Sequence, residues 1–278
     1  MAALRAGAIH AIGPVGDDGE GYELRRGLER LGCSTESLVV APERMTPTYL
    51  KPRDKDSSGL EGEHSRYDSL TREAMPGAIV ERLIAEFDAR LPELDAVAVC
   101  DQVEAAETGA ITSAMRAALA ERARRHPKIV FWADSRFRIR LFRHVIIKPN
   151  QFEAVGWANP APGAEVEQSR LAEAAACLRQ ATGAPVCVTR GAAGLFVTDP
   201  EPAFVPGVRV DGPVDPTGAG DSVTAGAVLA LAAGARLDEA ALVGALTASV
   251  TVRQLAATGT ATPEQVMAAL DIWRNRPK

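Results

Sequence analysis

Short apolar runs of strand length alternate with stretches of helical periodicity along almost the whole chain, and that alternation leaves few folds open. Residues 8–12, 37–41, 94–100, 128–133, 144–147 and 185–189 are short and apolar, and the last four are rich in Val, Ile and Phe. Runs of this kind suit strands buried on both faces, as in a parallel sheet. Between them, Leu24, Leu28 and Leu31 fall on one helix face ahead of Gly32, a natural stop. Ile111, Met115 and Leu119 recur at helical spacing within 111–125, as do Leu171, Ala175 and Leu178 within 166–182. Ala-rich helices are expected over 218–231 and 238–255. Strands joined by crossover helices make an α/β fold with a mostly parallel central sheet.

The 278 residues, 46% of them hydrophobic, suffice for a single domain spanning 1–278 with a small appendage rather than two equal domains. The appendage is expected at 42–69, rich in Pro, Asp, Lys, Arg, Glu and Gly, where only Thr48-Tyr49-Leu50 has strand character. Such a segment reads as an exposed arm or lid, although a plain solvated connection has the same composition. The formal charge of -5 argues against a nucleic-acid partner and for a small molecule. No stretch approaches the roughly 18 to 20 apolar residues that span a bilayer, and the first residues lack a signal peptide's apolar segment. A cytoplasmic protein without membrane partners is therefore expected. Cys33, Cys100, Cys177 and Cys187 are scattered, as are His10, His64, His126 and His144, so neither set has metal-ligand spacing. The cysteines are expected to be reduced and mostly buried.

Gly218-Ala219-Gly220-Asp221 stands directly before an apolar helix. Small residues at a helix start let backbone N–H groups converge on an anion, and the helix dipole adds partial positive charge there. Followed by one carboxylate, such a hole is a minimal apparatus for phosphoryl transfer, with Asp221 taking the proton of an attacking hydroxyl. By itself the same run could be a tight turn with a capping aspartate. Asn150 and Glu153 follow the apolar run Val145-Ile146-Ile147 at a strand-to-helix junction, where open α/β sheets bind ligands. Glu153 there could hold a water of a nucleotide-bound magnesium ion, or the pair could be a helix cap. Thr189-Arg190-Gly191-Ala192-Ala193-Gly194 permits a tight connection between strands with room for a flat or phosphorylated ligand, or simply a hairpin turn.

Taken in order, Asn150-x-x-Glu153, Thr189-Arg190-Gly191-x-x-Gly194 and Asp215-Pro216-Thr217-Gly218-Ala219-Gly220-Asp221 resemble the signature series of the ribokinase, or PfkB, family of carbohydrate kinases. Thr258-Gly259-Thr260-Ala261, Asp134-Ser135-Arg136 and Gly13-Pro14-Val15-Gly16-Asp17-Asp18-x-x-Gly21 extend the resemblance over nearly the whole chain. Thr46-Pro47-Thr48 and the Thr-Gly-Thr-Ala run are most similar to the heptose-phosphate kinase branch.

The resemblance implies a three-layer α/β/α sandwich with a β lid, and transfer of phosphate from ATP, with Mg²⁺, to a hydroxyl of a sugar or sugar phosphate. It implies Asp221 as the base, Gly218, Ala219 and Gly220 as the anion hole, and Asn150 and Glu153 acting on the phosphates and the magnesium shell. Thr189, Arg190, Gly191 and Gly194 would line the nucleotide pocket, and Asp215 and Thr217 match positions where some members bind a monovalent cation such as K⁺. A silent nucleotide-binding homologue, or a nucleoside or vitamin kinase, would share these residues.

The family's opening strand, first lid strands and Gly-Gly segment have no counterpart here. Residues 1–8 resemble the last turns of the helix after that pair, which suggests an N-terminally incomplete chain more than a diverged one. A sheet lacking a strand would leave an edge or groove for a partner chain, a homodimer being one such arrangement.

Overall fold

The computed structural model describes residues 1–57 and 60–275. Two short parallel pairs come first, β1 (Ile9–His10) with β3 (Cys33–Ser34) and β2 (Gly13–Val15) with β4 (Leu38–Val40), linked by helix α1 (Gly19–Arg30). An antiparallel hairpin of β5 (Thr48–Leu50) and β6 (Tyr67–Ser69) follows. After α2 (Gly77–Arg90), the strands β7 (Ala96–Asp101), β8 (Val130–Ser135) and β9 (Ile146–Ile147) build a parallel sheet, with α3 (Ser113–Arg125) between β7 and β8. Single parallel bridges, Ile147 to Val186 and Asn150 to Thr189, carry that sheet towards β10 (Cys187–Thr189), beyond α4 (Gln151–Val155) and α5 (Gln168–Thr182). β10, β11 (Gly194–Val197) and β12 (Ala203–Pro206) then form an antiparallel meander. The chain closes with α6 (Ala219–Ala232), α7 (Leu237–Thr251) and α8 (Pro263–Arg274).

The alternation of side chains along β8 decides the layering. Phe131 and Ala133 enter one core with Leu83 and Phe87 of α2, Met115 and Leu119 of α3, and Leu171 and Leu178 of α5. Trp132 points the other way, into Val223, Ala227 and Val228 of α6 and Ala240 and Ala241 of α7. Its indole is fully buried, and Nε1 donates to Thr224 Oγ1 at 3.2 Å, so the one polar atom of that ring is satisfied. Full burial of one such side chain contributes roughly 1.5–3 kcal/mol, which suits a strand covered by helices on both faces.

Element boundaries shift by a residue or two from the periodicities, and several differences have physical causes. Leu24 and Leu31 are exposed, so the expected inward face of α1 is not covered by the described residues. Gly32 does end this helix region, with φ of 73°. Helix α7 stops at Thr251 instead of continuing to 255, because Asp215 N–H takes the carbonyl of Val252 at 2.8 Å and Ala256 adopts a left-handed φ of 55°. The arm at 42–69 holds a second strand, β6, whose residues are all exposed and which exists by pairing with β5. Residues 58–59 of that arm lie outside the described set. Residues 2–4 form a short 3₁₀ turn ended by left-handed Arg5. Cys33 and Cys187 are buried, whereas Cys100 and Cys177 are exposed, so burial holds for half of the thiols.

Candidate active site

The sequence-selected segments meet at the carboxyl ends of β8, β9 and β10, facing the amino end of α6. The start of α6 is set by Gly218, whose φ of 75° and ψ of 5° place it in the left-handed region that glycine adopts without strain. From there Ala219 N–H bonds back to Pro216 O at 3.1 Å, and Ser222 N–H to Gly218 O at 2.9 Å. Among the described residues, no backbone acceptor meets Gly220 N–H or Asp221 N–H. Two donors at a helix's positive end are thus open to an anion.

The opposite end of α7 buttresses this turn. Thr251 Oγ1 donates to Ser222 Oγ at 2.9 Å, and a methyl group on Gly218 would come 3.6 Å from the Thr258 side chain. Gln254 brackets Thr260, donating to its carbonyl at 2.7 Å and accepting from its N–H at 3.1 Å. The Thr258–Ala261 run therefore supports the turn from behind. Asp215 is buried and joins these parts, accepting from Thr217 N–H at 2.9 Å and from Ala256 N–H at 3.0 Å. Hydrogen bonding by Thr217, side chain and then backbone, holds the Asp215 carboxyl below the ordinary range, with further help from Ala256 and the charge of Lys51.

Asn150 forms the cap of α4, its Oδ1 accepting from Phe152 N–H and Glu153 N–H at 2.9 Å each. Glu153 Oε2 in turn accepts from Asn150 N–H at 2.7 Å, which completes a capping box. Yet Glu153 is not an ordinary cap. Burial pushes its carboxyl up, the hydrogen bond from Asn150 opposes that, and Asp134 adds like-charge repulsion. Asp221 behaves similarly, raised first by burial and then by Asp134, against the charge of Lys148. Among the described residues no three His, Cys, Asp or Glu side chains gather as a metal-holding cluster, so the donor set suits only a hydrated, nucleotide-bound magnesium ion, which needs one or two protein carboxylates. Asp215 supplies carboxylate oxygen beside Thr217, a donor chemistry that suits a monovalent cation.

Residues 189–194 make the tight link between β10 and β11, closed by Arg190 N–H to Gly194 O at 2.8 Å. A methyl group on Gly194 would lie 2.2 Å from Val205 O, so this glycine is demanded by the neighbouring strand β12. Its φ of 98° adds to that demand. The Arg190 guanidinium lies over the Phe204 ring, 5.2 Å from its centroid, and its Nε is buried without a partner among the described residues.

Some residues gained a place only from the fold. Asp134, at the end of β8, pairs with Lys148 Nζ at 2.7 Å, and both side chains are almost entirely buried. Ser135 Oγ donates to Asp101 at 2.7 Å, and Arg138 bonds Asp101 at 2.8 Å, locking the ends of β7 and β8 side by side. Cys100 looks into the same region. It is reachable by solvent yet ringed by protein, as a group on a cleft floor is, and burial followed by the charges of Asp221 and Asp134 pushes its thiol up to about 11. Asp18, from the glycine-rich early segment, caps α1 through Gly21 N–H at 2.8 Å and accepts from Thr46 N–H and Oγ1 at 2.7 Å each. That anchors the arm carrying β5, from which Arg53 reaches Ala256 O at 2.9 Å. A charged residue at the end of each apolar run was the available signal for Asp134 and Lys148.

A parallel sheet between helical layers, with an open helix amino terminus facing strand ends, defines a ribokinase-like fold. The ribokinase of Thermotoga maritima superposes with a TM-score of 0.71 at 19% identity, covering 97% of this chain and 84% of that one. Ribokinase of Arabidopsis thaliana, solved with ribose and ATP, gives 0.69 at 16% identity over 97% of this chain and 83% of its own. Residues 1–265 match the pfkB family of carbohydrate kinases, and the chain belongs to that family. Among curated relatives, the bifunctional protein HldE of Caulobacter vibrioides is 34% identical over 262 residues, 92% of this chain and 50% of that protein. HldE of Trichlorobacter lovleyi is 27% identical over 264 residues, 93% of this chain and 50% of that protein. The chain thus spans about half the length of the curated relatives it matches. Among the described residues, no helix is long and apolar enough to cross a membrane.

Proposed function

We propose that this chain transfers the γ-phosphate of ATP to a hydroxyl of a sugar or sugar phosphate. The observation that carries the reading is the first turn of α6, where two open N–H groups adjoin the carboxyl of Asp221, which is open to solvent yet raised by the protein around it. In the reaction, the acceptor oxygen attacks the γ-phosphorus while Asp221 takes the hydroxyl proton. The bond to the β–γ bridging oxygen breaks and ADP leaves. The open N–H groups of Gly220 and Asp221 hold the charge spreading over the equatorial phosphoryl oxygens, with Gly218 shaping the turn, whereas the Ala219 N–H expected in the hole is taken by Pro216 O at 3.1 Å. Asn150 and Thr189 to Gly194 line the nucleotide side, with Arg190 stacked on Phe204 as one wall. Glu153 would hold magnesium through water, and the ion, when bound, would supply charge neutralisation to the nucleotide phosphates. Asp215 and Thr217 would hold K⁺ or a similar cation behind the anion hole.

Because Asp221 is raised by burial, its proton affinity lies closer to the working pH than an exposed aspartate's, which improves it as a base. The arm anchored by Asp18 and Thr46 carries Lys51, whose charge is felt at Asp215, and Arg53, which donates to Ala256 O at 2.9 Å. A heptose-phosphate type of acceptor is supported by the likeness to the HldE proteins and by Thr46-Pro47-Thr48 and Thr258-Gly259-Thr260-Ala261. Calorimetry with ATP, followed by coupled ADP release over a panel of sugars and sugar phosphates, tests the reading. ATP binding without sugar-dependent turnover would instead indicate a silent nucleotide-binding homologue.

A further inference from the structure

Lys148 is a buried cation with no part in the chemistry described so far. Its charge is felt at the fully buried Cys187, and its backbone N–H bonds Ala133 O at 2.9 Å, so the residue extends the parallel sheet. The ammonium emerges at the end of β8, where Asp134 Oδ2 holds it at 2.7 Å. It also stands directly over the first turn of α6, because a methyl group built on Gly220 would come 3.3 Å from Nζ and 3.9 Å from that same oxygen. The Gly220 and Asp221 N–H groups of that turn meet no backbone acceptor among the described residues.

We propose that Lys148 is a further catalytic residue, its ammonium shared between Asp134 and the γ-phosphoryl oxygens seated at Gly218–Gly220. This rests on the kinase reading and adds a side-chain cation to an otherwise backbone anion hole. An ammonium has three donors, and one bond to Asp134 leaves others for phosphate oxygens. The surrounding charge agrees. Asp134, Asp221 and Glu153 converge from different elements, and the field of Lys148 opposes that of Asp134 at both Asp221 and Glu153. Arg136 adds positive charge on the Glu153 side only. Without Lys148, a triphosphate would approach carboxylates with backbone dipoles alone to receive its last phosphate.

The geometry also predicts which phosphate is read. Asp134 fixes Nζ over the turn preceding Asp221, the base, so contact falls on the group being transferred and not on the part retained in ADP. The test measures Mg-AMP-PCP and Mg-ADP binding by calorimetry for the wild type, Lys148→Met, Lys148→Arg and the double variant Lys148→Met with Asp134→Asn. Thermal unfolding reports whether each variant is folded. Loss of a charge-assisted contact should weaken AMP-PCP about tenfold or more in Lys148→Met. ADP should weaken by no more than about threefold, and Lys148→Arg should retain most of the AMP-PCP affinity.

The double variant removes the unpaired carboxylate that a structural role would blame, so it remains informative if Lys148→Met alone unfolds. A persistent AMP-PCP defect in it supports the phosphoryl contact. Equal losses for both nucleotides, or full recovery in the double variant, would overturn the proposal while leaving the kinase reading intact. Failure of the folded wild type to bind either nucleotide would overturn both.

Discussion

Replacing Gly220 by alanine separates the site's chemistry from the protein's stability. Gly220 lies in the first turn of α6 with no positive φ, so an alanine backbone fits there. Exchanging glycine for alanine in a helix is worth roughly 0.5–1 kcal/mol of stability. Against that, the new methyl would sit 3.3 Å from Lys148 Nζ, inside comfortable contact by a few tenths of an ångström. The ammonium is the far end of a flexible stem, but its bond to Asp134 at 2.7 Å limits retreat. The two effects nearly cancel, leaving stability within about 1 kcal/mol of wild type, or a shift of roughly 2–4 °C in Tm for a chain of this size.

Function should respond differently, because the methyl projects into the space where phosphoryl oxygens meet the open N–H groups. Losing one such donor typically lowers kcat by about 10²–10³, and a comparable fall is expected in coupled ADP release at saturating ATP. Gly218→Ala supplies the contrast. There φ is 75°, so alanine should cost roughly 1–3 kcal/mol in backbone strain as well as activity. A Gly220→Ala protein with kcat within about threefold of wild type would refute the anion-hole assignment. One destabilised by more than about 2 kcal/mol would refute the packing argument.

Asp221→Asn should lower turnover by about 10²–10⁴ while leaving ATP affinity nearly unchanged by calorimetry. Because burial raises the Asp221 carboxyl above its unfolded value, ionisation disfavours the folded state as pH rises past that value. Thermal unfolding of Asp221→Asn at neutral pH should therefore match or exceed wild type, and the acidic limb of the wild-type rate profile should lie above the ordinary aspartate range. Asp18 is shifted the other way, lowered first by the Thr46 backbone hydrogen bond, so its stabilisation is present at neutral pH and lost as pH falls through its folded value. Asp18→Ala should cost about 1–2 kcal/mol in urea unfolding near pH 7 and much less in strong acid. Gly194→Ala must displace β12, since its methyl would meet Val205 O at 2.2 Å, and should cost at least about 3 kcal/mol or prevent folding. A soluble, equally stable Gly194→Ala protein would contradict the described register of β11 and β12.

The run of apolar strands and helical spacings was enough to fix a parallel α/β fold, because each period reports which faces a local segment must bury. The same holds for the turn before α6. Small residues ahead of an apolar helix specify an open amino terminus by local sterics alone, and Gly218 adopts the left-handed φ that this requires. Asn150 and Glu153 were legible as a cap for the same reason. Leu24 and Leu31 were not legible, since periodicity marks an apolar face without saying what covers it. Strand β6 was hidden because three exposed residues acquire strand form only from a partner across the hairpin.

Tertiary structure alone decided the electrostatics of the site. Asp134, Lys148, Glu153 and Asp221 belong to separate elements, and nothing in their spacing along the chain requires Lys148 to lie between carboxylates over Gly220. Burial and charge proximity are properties of the assembled sheet ends, so the raised carboxyls of Asp221 and Glu153 exist only once the chain has folded. The sequence determined the scaffold and the phosphate-facing turn through short-range sterics and periodicity. The fold determined which distant charges converge on that turn, because Coulomb interactions depend on distance through space and on the water that packing removes.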